Sequence, residues 1–102
     1  MRILIKVWFK NHDIKHNFYR DYEICSMSKE DIKSIINNIE IDRLHNISNI
    51  IKANLPIPNN NYFNCINGLV DKKKKEIMIL VDVYVTTNYL RCLKIKKLLE
   101  NE

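Results

Sequence analysis

The sequence predicts an α+β fold: a two-layer sandwich in which an antiparallel four-stranded sheet carries its helices on one face. Three observations lead there. Apolar residues recur with a period of two over 2–10 and again over 76–86, and with helical spacing over 32–39. The resulting order, β-β-α-(α)-β-β-α, sets pairs of strands between helices rather than one strand per helix. The chain has 102 residues, 46% hydrophobic and 28% charged, which suits one globular domain.

The first element is a strand over Arg2–Lys10. Ile3, Ile5, Val7 and Phe9 share one face, and Arg2, Lys6 and Lys10 mark the other. Asn11-His12-Asp13 supplies turn chemistry, since Asn and Asp hydrogen-bond their own main chain. Ile14–Cys25 returns as a second strand rich in aromatics. Pairing Lys10 with Lys15 sets Trp8 opposite Asn17, Lys6 opposite Tyr19, Leu4 opposite Asp21 and Arg2 opposite Glu23, and it puts Arg20 on the apolar face. Ser28 is placed to cap a helix whose first turn holds Glu30 and Asp31. Ile32, Ile35, Ile36 and Ile39 follow at i, i+3, i+4, i+7, one apolar stripe. Isoleucine is a poor helix former, so packing on the sheet must stabilise this helix. Asp42 is read as the cap of a second helical stretch with Leu44, Ile47, Ile50, Ile51 and Leu55, stopped by Pro56. One bent helix or two are both open over 29–54.

A loop over 55–61 divides the chain into two ββα-like halves within a single domain spanning 1–102. Tyr62–Val70 reads as a strand with Gly68 at a bulge, and Asp71-Lys72-Lys73-Lys74-Lys75 as an exposed turn. Glu76–Thr86 comes next as the most apolar strand, with Ile77, Ile79, Val81, Val83 and Val85 on one face and Met78, Leu80 and Tyr84 half filling the other. A strand apolar on both sides belongs in the centre of a sheet, covered twice. A final helix runs over Tyr89–Glu100 with Asn88 as its cap; the alternative is a strand through Tyr89–Ile95. Few helices are available to cover both sheet faces, so a second chain is expected, as a homodimer or a hetero-complex.

Net charge is +5, yet 13 Lys, 14 Asn and 17 Ile together make 44 of the residues. Those amino acids share A- and T-rich codons, so a low-GC genome accounts for much of the lysine. The charge is also uneven: residues 1–51 net +1 and residues 72–97 net +6. Cys25, Cys65 and Cys92 stand apart, with no CxxC pair, which suggests free thiols in a reducing compartment. No apolar run approaches the ~20 residues of a membrane span, and no signal peptide is visible, so a cytoplasmic protein is expected.

One glycine is too few for a phosphate-cradling loop. No HExxH, HRD or nucleophile-elbow pattern occurs. His12 and His16 flank a turn, with His45 remote, which does not make a metal site; no metal and no cofactor are expected. The same two histidines, with Lys15 to stabilise a phosphorane, are the one arrangement that would suit a small toxin-type ribonuclease. Asp82 interrupts the most apolar strand, either as a buried carboxylate or as a register marker facing Arg91 or Lys94. Lys72, Lys73, Lys74 and Lys75, with Arg91, Lys94, Lys96 and Lys97, form the one charge cluster and the candidate nucleic-acid surface. Trp8, Tyr19, Tyr62 and Phe63 are the candidates for a protein interface, because such side chains bury large area with few rotors.

The expectation is therefore a small non-enzymatic binding module that acts by contact with another protein. Its size and composition would suit an accessory, regulatory or inhibitor protein of a virus, phage or mobile element. Nucleic-acid binding through the lysine cluster stands as the alternative, and a small ribonuclease as the second.

Overall fold

The chain folds in the order β1 (Arg2–Asn11), β2 (Ile14–Ile24), α1 (Lys29–Glu40), a 3-10 turn (Leu44–Ile47), α2 (Ser48–Ala53), β3 (Tyr62–Asp71), β4 (Glu76–Tyr84) and α3 (Thr87–Glu100). The computed structural model describes residues 1–12, 14–57 and 62–100, with residues 14–17 described by their backbone alone. Residues 58–61 of the expected loop lie outside the described residues.

The four strands form one sheet in the order β2-β1-β4-β3. Each hairpin is antiparallel, but β1 and β4 run parallel at the centre, so the sheet is mixed rather than antiparallel as expected. The reason lies in which strand of each half is most apolar. The first half gives its first strand to the centre and the second half its second strand. Both enter from one end, where the Arg2 N–H donates to the Lys75 carbonyl at 2.9 Å. Both leave at the other, where the Val85 N–H donates to the Lys10 carbonyl at 2.9 Å. Ile3, Ile5, Val7 and Phe9 of β1 and Ile77, Ile79, Val81 and Val83 of β4 are almost wholly buried.

The hairpin register differs from the expected one by two residues over most of its length. Asn11 faces Ile14, but an irregularity between Phe9 and Asn11 moves the remainder on. Trp8 therefore faces Tyr19, Lys6 faces Asp21 and Leu4 faces Glu23. A shift of two keeps every side chain on its face, so the core is unchanged. Arg2 still reaches Glu23 diagonally, Nε to Oε1 at 2.7 Å. Arg20 does lie on the core side, opposite Val7, and its guanidinium runs out to the sheet edge, 5.5 Å from the Tyr22 ring and 3.4 Å from Glu100.

All helices cover one face. α1, the 3-10 turn and α2 lie over β3, and α3 lies over β1 and β2. Ser28 caps α1 as expected, its Oγ accepting from the Asp31 N–H at 3.2 Å. Asp42 does not cap the second helical stretch. It takes a left-handed φ of 56° just after α1 ends, so 29–54 is broken rather than bent. Asn38 holds the break from inside: its Nδ2 donates to the Ser34 carbonyl at 2.8 Å and its Oδ1 accepts from Asn46 Nδ2 at 3.0 Å. α2 ends at Asn54, before Pro56.

The bulge in β3 falls between Cys65 and Asn67, not at Gly68. Gly68 has another purpose: a Cβ there would lie 2.8 Å from Ile39 Cγ1, so the glycine lets α1 close onto the strand. The last element is helical, and Leu90 and Leu93 are its buried residues. Thr86 caps it, with Oγ1 accepting from the Tyr89 N–H at 3.2 Å, while Asn88 falls inside the first turn.

Candidate functional site

The alternation that buries the odd residues of β1 and β4 turns the even ones onto the face that no described helix covers. The register sets them in rows across the sheet. Glu23, Leu4, Met78 and Leu69 form one row; Asp21, Lys6, Leu80 and Asn67 the next; Tyr19, Trp8, Asp82 and Asn64 the third. Lys10, Tyr84 and Tyr62 continue the pattern towards the β1–β2 turn. Leu4, Met78 and Leu80 are half-buried by their neighbours alone, whereas Trp8, Leu69 and Tyr62 are exposed.

Aromatic contacts stiffen the upper half of this face. Trp8 and Tyr19 lie 4.8 Å apart between ring centroids, tilted by 55°. Tyr84 meets the edge of Tyr62 at 5.8 Å and is stacked by His12 at 4.8 Å. The lower half holds two open depressions of about 200 and 480 Å³, and Lys6 and Met78 line both.

Most of the charges on the face are committed to one another. Arg2 bridges Glu23 and Glu76, and the hydrogen bond to Glu23 raises its pKa further above its ordinary value. Lys10 Nζ sits 2.7 Å from Asp82 Oδ2, and that hydrogen bond raises the ammonium's pKa against the opposing effect of desolvation. The Tyr19 hydroxyl donates to Asp21, which pushes the phenol up to about 12. Among the described residues, Lys6 has no ion pair and the buried Asp82 Oδ1 has no hydrogen-bond partner.

Trp8, Tyr19 and Tyr62 are thus brought onto one surface. Phe63 is not: it faces Val83 on the helix side and packs against the core. The lysine cluster divides. Lys72 lies 3.8 Å from Glu40 at the end of α1, beside the β3 edge. Lys97 lies 5.4 Å over the Phe18 ring at the β2 edge, where Glu100 also meets Arg20. β2 and β3 are opposite edges of the sheet, so the turn lysines and the α3 cations Arg91, Lys94, Lys96 and Lys97 do not form one surface. Of the nuclease candidates, His12 is exposed against Tyr84, and the side chains of Lys15 and His16 lie outside the described residues.

Among the described residues, no three His, Cys, Asp or Glu side chains converge as metal ligands would. No described helix is long and apolar enough to cross a membrane. Cys65 is buried, which pushes its thiol pKa up, and its Sγ accepts from Ser48 Oγ at 3.7 Å; Cys25 and Cys92 are exposed.

Leu4, Leu69, Met78, Leu80 and Tyr84 were not singled out as contact residues by the sequence. The signal that could have found them is the second apolar face of β4, which needs cover in any fold that places the strand centrally. No family model matches the chain, and neither a curated protein nor a solved structure matches it.

Proposed function

We propose that this protein is a non-enzymatic binding module whose working surface is the helix-free face of the sheet, and whose partner is another protein. One observation carries the reading. A central parallel pair with apolar residues on both sides has helices on one side only, and the other side presents Leu4, Leu69, Met78 and Leu80 beside Trp8, Tyr19, Tyr84 and Tyr62. Lys6 and Asp82 lie between the aliphatic group and the aromatic one, and apolar surface of this extent interspersed with a few polar groups is what protein contacts use. Aromatic anchors supply most of the energy in such contacts.

The charge arrangement favours a protein over a nucleic acid. Arg2 and Lys10 on this face are already paired with carboxylates, so they have little to give to phosphates. A module of this size that works by occupying a surface suits an accessory or inhibitory role.

The test is a pull-down from the protein's own cells with tagged wild type, Trp8→Ala and Tyr62→Ala. Both variants are expected to keep the wild-type circular dichroism spectrum and to lose the partner, each at a cost of about 2 kcal/mol or more in binding. A partner that stays bound to both folded variants refutes the assignment of this face.

A further inference from the structure

The chain's single glycine follows an asparagine, and Asn67-Gly68 is the only such pair among its 14 asparagines. The pairing matters for reactivity. The carbonyl carbon of an asparagine side chain lies within reach of the next residue's main-chain nitrogen, and a side chain on that next residue hinders the attack. Glycine carries none. Every other asparagine in the chain precedes a residue that does.

The fold leaves this pair accessible. β3 is an edge strand, so no strand pairs with the outer side of its main chain. The bulge between Cys65 and Asn67 interrupts its pairing with β4 just before the pair. Asn67 is exposed, and the Gly68 N–H donates to its Oδ1 at 2.9 Å. A carbonyl bond is about 1.23 Å long, so the Gly68 nitrogen lies within about 4 Å of Asn67 Cγ. Rotation of the exposed amide turns the face of that carbon towards the nitrogen. Asn38 is the opposite case: it is buried, and its amide is tied to Ser34 and Asn46.

We infer that Asn67 is a site of spontaneous modification, at which the folded protein deamidates to aspartate and isoaspartate. The Gly68 nitrogen loses its proton to hydroxide and attacks Asn67 Cγ. A C–N bond forms, closing a five-membered imide, and the Cγ–Nδ2 bond breaks, the departing nitrogen taking up a proton and leaving as ammonia. Solvent water then opens the imide. Opening at Cγ gives aspartate on an unchanged main chain; opening at the main-chain carbonyl gives isoaspartate, whose chain runs through Cγ and is one methylene longer. Water is the only co-reactant, and nothing is oxidised or reduced. The aspartyl product places its carboxylate on the depression of about 200 Å³ that Lys6 also lines. Lys6 has no ion pair among the described residues, so the new charge meets a cation there. The isoaspartyl product displaces Leu69, Val70 and Asp71 from their places opposite Met78, Ile77 and Glu76.

Peptide mapping by mass spectrometry, on purified chain kept folded in neutral and in mildly alkaline buffer, reads the reaction directly. The mass gain of an amide-to-acid change is expected at Asn67, at a rate at least about 10-fold above that at any other asparagine. The product should separate into aspartyl and isoaspartyl forms, and the rate should rise with hydroxide. The same measurement in urea gives the rate of the unfolded chain, and the folded rate should stay within about 10-fold of it. Gly68→Ala should slow conversion about 10-fold or more, in urea as well, where packing against Ile39 has no part. Asn67→Asp is the aspartyl product made directly, and should keep the wild-type circular dichroism spectrum and elute with that product on ion exchange.

A folded chain that stays unconverted while the urea-unfolded chain reacts overturns the inference, because the sheet then protects the pair. Conversion spread evenly over the other asparagines overturns it too, as does a product that does not elute with Asn67→Asp. None of these results bears on the open-face reading, which keeps its own pull-down.

Discussion

Asp82 shows how one side chain ties the open face to the stability of the sheet. It sits in a central strand with its side chain 15% exposed, one oxygen held by Lys10 and the other buried without a partner among the described residues. Desolvating a carboxylate is costly, and here a single ammonium offsets most of that cost. Lys10→Met should therefore destabilise the fold by about 1–2 kcal/mol, since the pair is part-buried and the change leaves Asp82 with neither oxygen hydrogen-bonded. Lys10→Met/Asp82→Leu should return to within about 1 kcal/mol of wild type, because well-packed apolar side chains replace a buried pair at little cost. Urea denaturation of the two variants checks both. The pH dependence has a definite sign. Lys10 has its pKa raised above the ordinary 10.5 by the hydrogen bond to Asp82. Its contribution is complete below the unfolded value and is lost as pH rises through the folded one. The gap between wild type and Lys10→Met should stay constant from neutral pH to about pH 10 and narrow above it. The sequence marks Asp82 as an anomaly in an apolar strand but suggests the wrong partners, Arg91 or Lys94. Lys10 becomes its neighbour only because β1 lies beside β4, and no local pattern announces that adjacency.

At the scale of elements, α1 presses closely on β3 at Gly68. This glycine has no positive φ, so its replacement is a matter of space alone. An added Cβ would meet Ile39 Cγ1 at 2.8 Å, Ile39 Cδ1 at 3.1 Å and Leu44 Cδ2 at 3.2 Å. Gly68→Ala should cost about 1–3 kcal/mol by overpacking, and Ile39→Ala about 2 kcal/mol by opening a cavity. The double variant should cost at least about 1 kcal/mol less than their sum, since each change makes room for the other. Strictly additive costs, measured by thermal or urea unfolding, would mean that α1 does not bear on this glycine. The elements that the sequence makes legible are those with dense local signals, namely the alternation of β1 and β4 and the Ser28 cap with its isoleucine stripe. The misread positions are those where one residue type serves two ends. Asp caps helices, yet here Asp42 takes left-handed backbone after one. Thr86, Thr87 and Asn88 are three cap-capable residues in a row, and only the hydrogen bond from Tyr89 chooses Thr86. The candidate site divides in the same way. Trp8, Tyr19 and Tyr62 stand out by residue type, whereas Leu4 and Leu69 belong to the surface only once Met78 joins them across three strands.

At the scale of the whole molecule, the parallel pair makes each half depend on the other. Arg2 and Glu76, 74 residues apart in the chain, meet at one end of that pair. The core cluster draws Ile3 to Phe9, Ile35, Ile47 and Ile51 from the first half and Cys65, Ile77 to Val85, Leu90 and Leu93 from the second. Taken alone, either half is one two-stranded hairpin with a helical segment, and an isolated hairpin is marginal in water. The helices also cross between halves: α1 and α2 lie on β3, and α3 lies on β1 and β2, so each half holds the cover for the other's edge strand. Separate peptides spanning 1–57 and 62–102 should therefore both be largely unfolded by circular dichroism and amide NMR dispersion. Mixed at equal concentration, they should recover the dispersion of the intact chain, slowly, because strand pairing between distant segments must wait for the encounter. If either peptide alone shows the dispersed spectrum of a packed core, the halves are separate folding units, and the exchange of helices between them adds to stability without being the condition for it.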